Sequence, residues 1–354
     1  MITASPRIPG TLQEMLSPAW LAEALGPQFP GIQIQAVTTG PIVSRVATNL
    51  RFHVDGQTPD LDSSSLALCL KGMFTESGAL LAGTGTHEAF FYRDLAAATG
   101  VRTLHAVYAD VDPERDTGLI ITDDVVAEGA VFLDALTPYT PDQAAESLAE
   151  LARLHAATWR APGLAEVDWL APRMTSHLGH RGFPEIHGNF TGPIGAGVPA
   201  EVRDAARLVE AYRRLAAAVE VAEPWCVIHG DPHVGNLYLD AAGRPSFLDW
   251  QLVQRGPWYV DVGYHLASAL SVADRRRHED DLLRHYLERL RAGGVDAPAF
   301  EDAQAGIRRG VVAGFFLWGI TLKVKPAITT ELLTRIGTAV ADWDSLARTL
   351  ADPD

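Results

Sequence analysis

Trp225-Cys226-Val227-Ile228-His229-Gly230-Asp231-Pro232-His233-Val234-Gly235-Asn236-Leu237-Tyr238-Leu239, followed after Asp240 to Pro245 by Ser246-Phe247-Leu248-Asp249-Trp250-Gln251, is the stretch on which the fold turns. An apolar run, Trp225 to Ile228, delivers His229-Gly230-Asp231 at its end. A polar loop follows and closes on Asn236. Leu237 to Leu239 then reads as a short strand, Ala241 to Pro245 as a turn, and Ser246 to Leu248 as the returning strand. A hairpin brings its ends together, so Asn236 and Asp249 are expected side by side, with Asp231 one tight loop away. Two carboxylates and an amide then converge at its open end. Oxygen-rich chemistry of this kind suits Mg²⁺ held beside a phosphate while another carboxylate orients a hydroxyl.

Residues 229–236, His-Gly-Asp-Pro-His-Val-Gly-Asn, with Leu248-Asp249-Trp250-Gln251, resemble the catalytic signature of the aminoglycoside phosphotransferase and choline kinase superfamily, the small-molecule branch of the protein-kinase fold. Asp249-Trp250-Gln251 followed by Arg255-Gly256-Pro257 and Asp261 looks closest to the ecdysteroid-kinase-like group. The resemblance covers residues 32 to 270, strongest over 225 to 265 and weakest in the first hairpin. It implies an α+β, two-lobed kinase-like fold. Residues 1–122 would form a small β-rich nucleotide-binding lobe with an N-terminal extension, and 123–354 a larger, mostly helical catalytic and substrate-binding lobe. It further implies ATP and Mg²⁺, with Asp231 as the catalytic carboxylate and His229 shaping its loop. Asn236 and Asp249 would be the metal ligands.

Upstream, Ile32 to Val37 and Asn49 to Val54 alternate like half-buried strands, with Gly40-Pro41 expected to break the first. The connection, Thr38 to Ala47, departs from the family pattern because it holds one glycine and no G-x-G-x-x-G. A phosphate clamp and an ordinary hairpin both remain open there. Asp55 to Ser65 reads as polar and turn-rich. Leu66 to Lys71 is a continuous apolar strand whose terminal ammonium needs a partner. On the helix expected over Thr86 to Thr99, Glu88 shares a face with Phe91, Tyr92 and Leu95. Lys71 with Glu88 resembles the kinase pair in which the lysine holds nucleotide phosphates and the glutamate positions it; a snorkelling lysine and a solvated glutamate are the plain alternative. Gly83-Thr84-Gly85 follows no clear strand and is not a dinucleotide fingerprint. Gly118 to Asp124 reads as the last strand of the first lobe, and by resemblance the adenine falls around Thr122, Asp123 and Val125.

Downstream, Pro141 to Trp159 is an amphipathic helix; its His155 reads as a hydrogen-bonded core histidine among apolar neighbours, with a ligand as the alternative. Arg160 to Gly197 looks irregular; its histidines 177, 180 and 187 lack the spacing and cysteine companions of a zinc site. Val202 to Val219, His278 to Ala292 and Ala303 to Leu350 read as helical. Asp261 is expected to brace the catalytic loop from a helix start, or to serve only as an N-cap.

Composition narrows the function. With 47% hydrophobic and 21% charged residues the chain is an ordinary globular protein. A formal charge of −15 argues against a nucleic-acid binder. Cys69 and Cys226 lie in apolar runs and read as packed thiols. Met1 to Gly10 has no apolar h-region, and Gly310 to Ile320 is too short to span a bilayer, so a cytoplasmic protein is expected with no membrane partner.

Three activity classes stand at this point. Phosphoryl transfer to a small-molecule hydroxyl uses every charged position above. Metal-dependent hydrolysis would use His229, Asp231, His233 and Asp249 but leaves Asn236 and Lys71 without roles. A non-catalytic nucleotide-binding relative is the third. For a kinase, the acceptor-side segments Arg160 to Gly197 and Val311 to Thr321 carry few carboxylates, Glu166, Asp168 and Glu185. They carry instead Trp169, Leu170, Met174, Phe183, Phe190, Phe315, Phe316, Leu317 and Trp318. That favours a bulky apolar alcohol (steroid-, lipid- or hydroxyacyl-like) over an aminoglycoside, unless the aromatics simply pack the large lobe.

Overall fold

In the computed structural model residues 7–44, 47–59, 61–72 and 84–351 are described. The chain divides into two compact units. The first comprises Met1–Ala98, Thr103–Ala130 and Asp249–Leu252; the second comprises Thr99–Arg102, Val131–Leu248 and Val253–Asp354. Together they make a mixed α+β protein, β-rich in the first unit and mostly helical in the second.

The first unit is a five-stranded antiparallel sheet in the order β1-β2-β3-β5-β4, built from β1 (Gln33–Ser44), β2 (Thr48–Thr58), β3 (Leu61–Gly72), β4 (Ala106–Asp112) and β5 (Thr117–Asp123). Strict alternation buries Leu50, Phe52 and Val54 of β2 and leaves Arg51, His53 and Asp55 in solvent, the period-2 pattern of a sheet covered on one face. Leu68, Leu70, Leu119 and Ile121 share that core with Leu21 and Leu25 of α1 (Pro18–Leu25), a helix started by the Ser17 cap and Pro18.

Two expectations fail here for one reason. Gly40-Pro41 does not end β1, and Asp55 to Ser65 is not a turn. β1 is an edge strand, and a register shift between Thr39 and Ile42 accommodates the proline, which has no N–H to offer a ladder. β2 and β3 pair on through Asp55↔Ser65 and Gly56↔Ser64 to Thr58↔Leu61. Backbone pairing can outrun the apolar pattern that announces it. The connection left between β1 and β2 is therefore much shorter than Thr38 to Ala47; residues 45 and 46, and Gly83, lie outside the described residues.

The helix carrying Glu88 is α2 (Thr84–Phe90), continued by a π turn at Phe91–Leu95 and a last turn at Ala96–Thr99. Glu88, Phe91, Tyr92 and Leu95 are all buried, so the spacing chose the inward face correctly although the local winding is π.

In the second unit, α3 (Pro141–Thr158) begins at a capping box, Thr140 with Gln143. It packs on α6 (Val272–Ala292); α4 (Ala205–Glu220) and α5 (Tyr259–Ala269) both pack on α7 (Phe300–Gly319), as does α8 (Pro326–Asp342). Small strands complete the unit: β6 (Val131–Phe132) pairs with β8 (Leu237–Leu239), β8 with β9 (Pro245–Phe247), and β7 (Cys226–Ile228) with β10 (Gln254–Gly256). The segment 160–197 is more regular than expected. It holds a nine-residue helix, Phe183–Thr191, started by Pro184 and by the Glu185 carboxylate on the Gly182 N–H, a signal obscured by its glycines. No helix among the described residues is long and apolar enough to cross a membrane.

His265 on α5 is fully buried, and its Nδ1–H donates to the Pro232 carbonyl at 2.7 Å. Its Nε2 therefore accepts from the Ser147 hydroxyl, also at 2.7 Å. Burial lowers its pKa to about 4 from 6.5. The folded chain refuses a proton that the unfolded chain takes below pH 6.5, so stability is full above that value and falls as the pH drops toward 4. Urea unfolding at pH 7 and pH 5 should differ by about 2 kcal/mol through this group alone. His265→Gln should flatten that dependence, and an unchanged dependence would refute the assignment.

Candidate active site

The second unit holds the loop that the sequence singled out. β7 ends at Ile228, and the chain turns at Gly230 with φ of 82°, a left-handed conformation that glycine adopts without strain. Asp261, buried in the first turn of α5, takes both backbone N–H groups of that turn: His229 N donates to Oδ2 at 2.6 Å and Gly230 N to Oδ1 at 2.9 Å. His155 Nε2 donates to the same carboxylate at 3.2 Å and receives the Tyr286 hydroxyl on Nδ1 at 2.8 Å. Asp261 is thus a brace rather than only a cap, and His155 is a hydrogen-bonded core residue.

His229 spends both ring nitrogens inside the loop. Nδ1 accepts from Asp231 N at 3.2 Å, so Nε2 carries the proton and donates to the Leu248 carbonyl at 3.0 Å. Asn236 donates its amide to the Asp231 carbonyl at 2.8 Å and to Asp231 Oδ2 at 3.2 Å, which leaves the amide oxygen as the part of that side chain suited to a cation. Tyr264 donates its hydroxyl to Asp231 Oδ1 at 2.8 Å. Held on both oxygens, with His233 Nε2 3.6 Å from Oδ2, the Asp231 side chain remains 26% exposed. The expected hairpin is present: Leu237 pairs with Phe247, and Leu248 N donates to the Asn236 carbonyl. Asp249 is the next residue.

In the first unit, Lys71 sits near the end of central strand β3, between Asn49 of β2 and Ile120 of β5. Its ammonium lies 2.6 Å from Glu88 and 3.0 Å from Asp249. Burial alone would lower the Lys71 pKa; the Asp249 and Glu88 carboxylates outweigh it and hold the group above its ordinary range. Burial, together with Asp249, pushes the Glu88 carboxyl upward against the pull of Lys71. Asp249 itself has φ of 64°, a left-handed conformation uncommon for a non-glycine residue and a frequent mark of functional turns. Trp250 secures that turn. Its ring stacks on Phe91 of the π turn with centroids 3.7 Å apart, and its indole N–H donates to Thr103 Oγ1 at 2.9 Å.

Thr122, Asp123 and Val125 lie at the end of β5. Asp123 N donates to the His105 carbonyl, Asp124 N to that of Ala67, and Val125 N to that of Asp123. An adenine edge recognised by backbone N–H groups here would have to displace one of these bonds.

The Asp249 carboxylate and the Asn236 amide oxygen are each, taken singly, the kind of hard oxygen donor that Mg²⁺ takes. The hydrolase alternative fares worse. His229 has no free nitrogen, His233 accepts Gly235 N on Nδ1 at 3.0 Å, and no group of three His, Cys, Asp or Glu among the described residues is placed to hold a metal. Cys69 and Cys226 are free thiols, the former pushed by burial up to about 11. The acceptor-side aromatics mostly pack: Leu170, Met174, Phe190, Phe315, Phe316 and Trp318 are buried, with Phe190 stacked on Phe315 and Tyr212 on Phe316. Trp169 and Leu317 are half-buried, and Phe183 is exposed.

Residues 86–300, well over half the chain, match the phosphotransferase enzyme family, APH. The chain belongs to that family and is a small-molecule kinase of the protein-kinase-like fold. Among solved structures, an ethanolamine kinase of Plasmodium vivax is similar at 11% identity and a TM-score of 0.51, covering 92% of this chain and 85% of its own. A choline/ethanolamine kinase family protein of Mesorhizobium loti is 19% identical over 88% of this chain and 91% of its own, with a TM-score of 0.45. Choline kinase of Streptococcus pneumoniae is 13% identical over 91% and 98%, with a TM-score of 0.46. No curated protein matches the sequence significantly.

Sequence reasoning missed Tyr264 and His265; it named Trp318 only as acceptor-side lining and Trp250 only as part of the Asp249-Trp250-Gln251 run. Only Trp318 left a periodic trace, as the last of Gly306, Gly310, Gly314 and Trp318 at four-residue steps on α7.

Proposed function

We propose that this kinase transfers the γ-phosphate of ATP to the hydroxyl of a bulky, mainly apolar small molecule, as a relative of the ecdysteroid-kinase-like group. The observation that carries the phosphotransfer part is Asp231, a partly exposed carboxylate held on both oxygens by Asn236 and Tyr264. A carboxylate so held orients an acceptor hydroxyl and takes its proton without reorganising. Asn236 and Asp249 would hold Mg²⁺, which when bound neutralises charge on the nucleotide phosphates. Lys71 neutralises phosphate charge as well, and Glu88 positions it. In this reading, residues 1–122 handle the nucleotide and 123–354 supply catalysis and the acceptor site, with Thr122, Asp123 and Val125 on the nucleotide side.

The acceptor class rests on what the second unit leaves exposed. Phe183 is 48% exposed, Leu322 57% and Val324 38%. They sit on two segments fastened together, since Asn189 donates its amide to the Gly319 and Thr321 carbonyls and Arg181 reaches that of Ile320. Of the three acceptor-side carboxylates, Glu185 is engaged in capping its own helix, so few remain for a polycation. Mg-ATP with a hydroxyl-bearing library decides the matter: ADP is expected with hydroxysteroids or hydroxyacyl compounds and not with aminoglycosides. Efficient turnover of aminoglycosides alone would sink the acceptor class, and no turnover with Mg-ATP binding intact would favour a non-catalytic relative.

A further inference from the structure

We propose that Tyr264 is a positioning residue for Asp231, acting with Trp318 as a two-step hydrogen-bond relay that holds the catalytic carboxylate in one orientation. The proposal rests on the phosphotransfer reading of Asp231. Trp318 Nε1–H donates to the Tyr264 hydroxyl oxygen at 2.7 Å, and the Tyr264 O–H donates to Asp231 Oδ1 at 2.8 Å. The direction is fixed by chemistry: an indole N–H only donates, and an ionised carboxylate only accepts. Each bond polarises the next. Tyr264 is fully buried and Trp318 is 5% exposed, so water does not compete for these groups. Burial and the neighbouring carboxylate raise the Tyr264 phenol well above its ordinary value, which keeps it a donor.

A carboxylate on its own has a broad terminal torsion. Asn236 reaches Oδ2 through a longer contact, 3.2 Å, and His233 Nε2 lies 3.6 Å from the same oxygen, contacts that by themselves fix the group loosely. Tyr264 pins Oδ1 and so leaves Oδ2 as the oxygen that meets the acceptor hydroxyl.

Packing builds the relay. Gly306, Gly310, Gly314 and Trp318 recur every four residues on α7, and successive members of such a row lie along one face. Side chains on those glycines would collide with α5: at Gly310 with the Tyr259 backbone, at Gly314 with the Tyr264 ring itself. The glycines let α5 approach until the Tyr264 ring lies over Gly314, and the next position in the row supplies the indole that meets its hydroxyl.

The test follows ADP release from Mg-ATP with water as acceptor in the full chain, so that no identified alcohol is required. Tyr264→Phe removes one hydroxyl; kcat should fall about tenfold to a hundredfold, by analogy with the loss of a hydrogen-bond partner that orients a metal ligand, with KM for Mg-ATP unchanged. Trp318→Phe should fall less, and the double variant should match Tyr264→Phe rather than the product of the two. Tyr212→Phe, which loses another buried hydroxyl of the same unit, should keep the wild-type kcat. A wild-type kcat in Tyr264→Phe with Asp231→Asn inactive overturns the relay and leaves the phosphotransfer reading standing. So does an equal fall in Tyr212→Phe. A wild type no faster than Asp231→Asn, with water and with the hydroxyl-bearing library alike, overturns the phosphotransfer reading and the relay with it. Where Tyr264→Phe fails to fold, an unchanged kcat in Trp318→Phe overturns the relay by itself.

Discussion

Asp231→Asn is expected to lower turnover by on the order of 10³ while leaving Mg-ATP affinity near wild type, since a positioned general base contributes 10²–10⁴. The amide keeps the shape of the side chain and can still accept from Tyr264, but it cannot take a proton. Asn236 donates to Oδ2 at 3.2 Å and Tyr264 to Oδ1 at 2.8 Å, so an amide in place of the carboxylate sets an NH₂ against one of these donors. Asp249→Asn should act differently. It removes one of the two carboxylates on Lys71 and, in the proposed reading, a charged ligand of Mg²⁺, so Mg-nucleotide binding itself should weaken. Calorimetric titration of Mg-ATP beside a turnover assay separates the two. Near wild-type rates in Asp231→Asn would remove it from the catalytic position.

Lys71→Ala is expected to lower kcat/KM by on the order of 10²–10³, the scale of losing one preorganised electrostatic group, without unfolding the chain. A stranded partner charge ordinarily makes such a deletion destabilising. Here Glu88 can answer by taking a proton, because burial already pushes its carboxyl upward. Glu88→Ala should act in the same direction and less strongly, since it holds the lysine 2.6 Å away rather than touching phosphate. The double variant tests the pairing: losses that simply multiply would mean two independent residues, and a double variant no worse than Lys71→Ala marks a unit.

How much of this was legible beforehand depended on the range of the interaction. The run from Trp225 to Gln251 was readable because a strand, a tight loop and a hairpin are local. Their residues meet whatever the rest of the chain does, and Leu237 pairs with Phe247 as the turn signal required. Lys71 and Glu88 were readable as a pair only through the resemblance. A charge at the end of a buried strand implies a partner, but the apolar patterns alone fitted a snorkelling lysine and a solvated glutamate as well, and the downstream signature chose between them. Pro41 misled in the first strand because its cost depends on the strand being an edge, a property of sheet order and not of the local sequence.

The sequence by itself determined the phosphotransferase signature, the inward face of the helix carrying Glu88 and the alternation of β2. Only the tertiary structure decided how those groups are held. Asp261 closes on the His229–Gly230 turn from 31 and 32 residues away, and Trp318 meets Tyr264 across 54. It also decided that most acceptor-side aromatics pack the interior of the second unit. Side-chain hydrogen bonds between distant elements follow from helix register and interaxial distance. Here that distance is set by glycines on α7 that carry no chemistry of their own and therefore announce none.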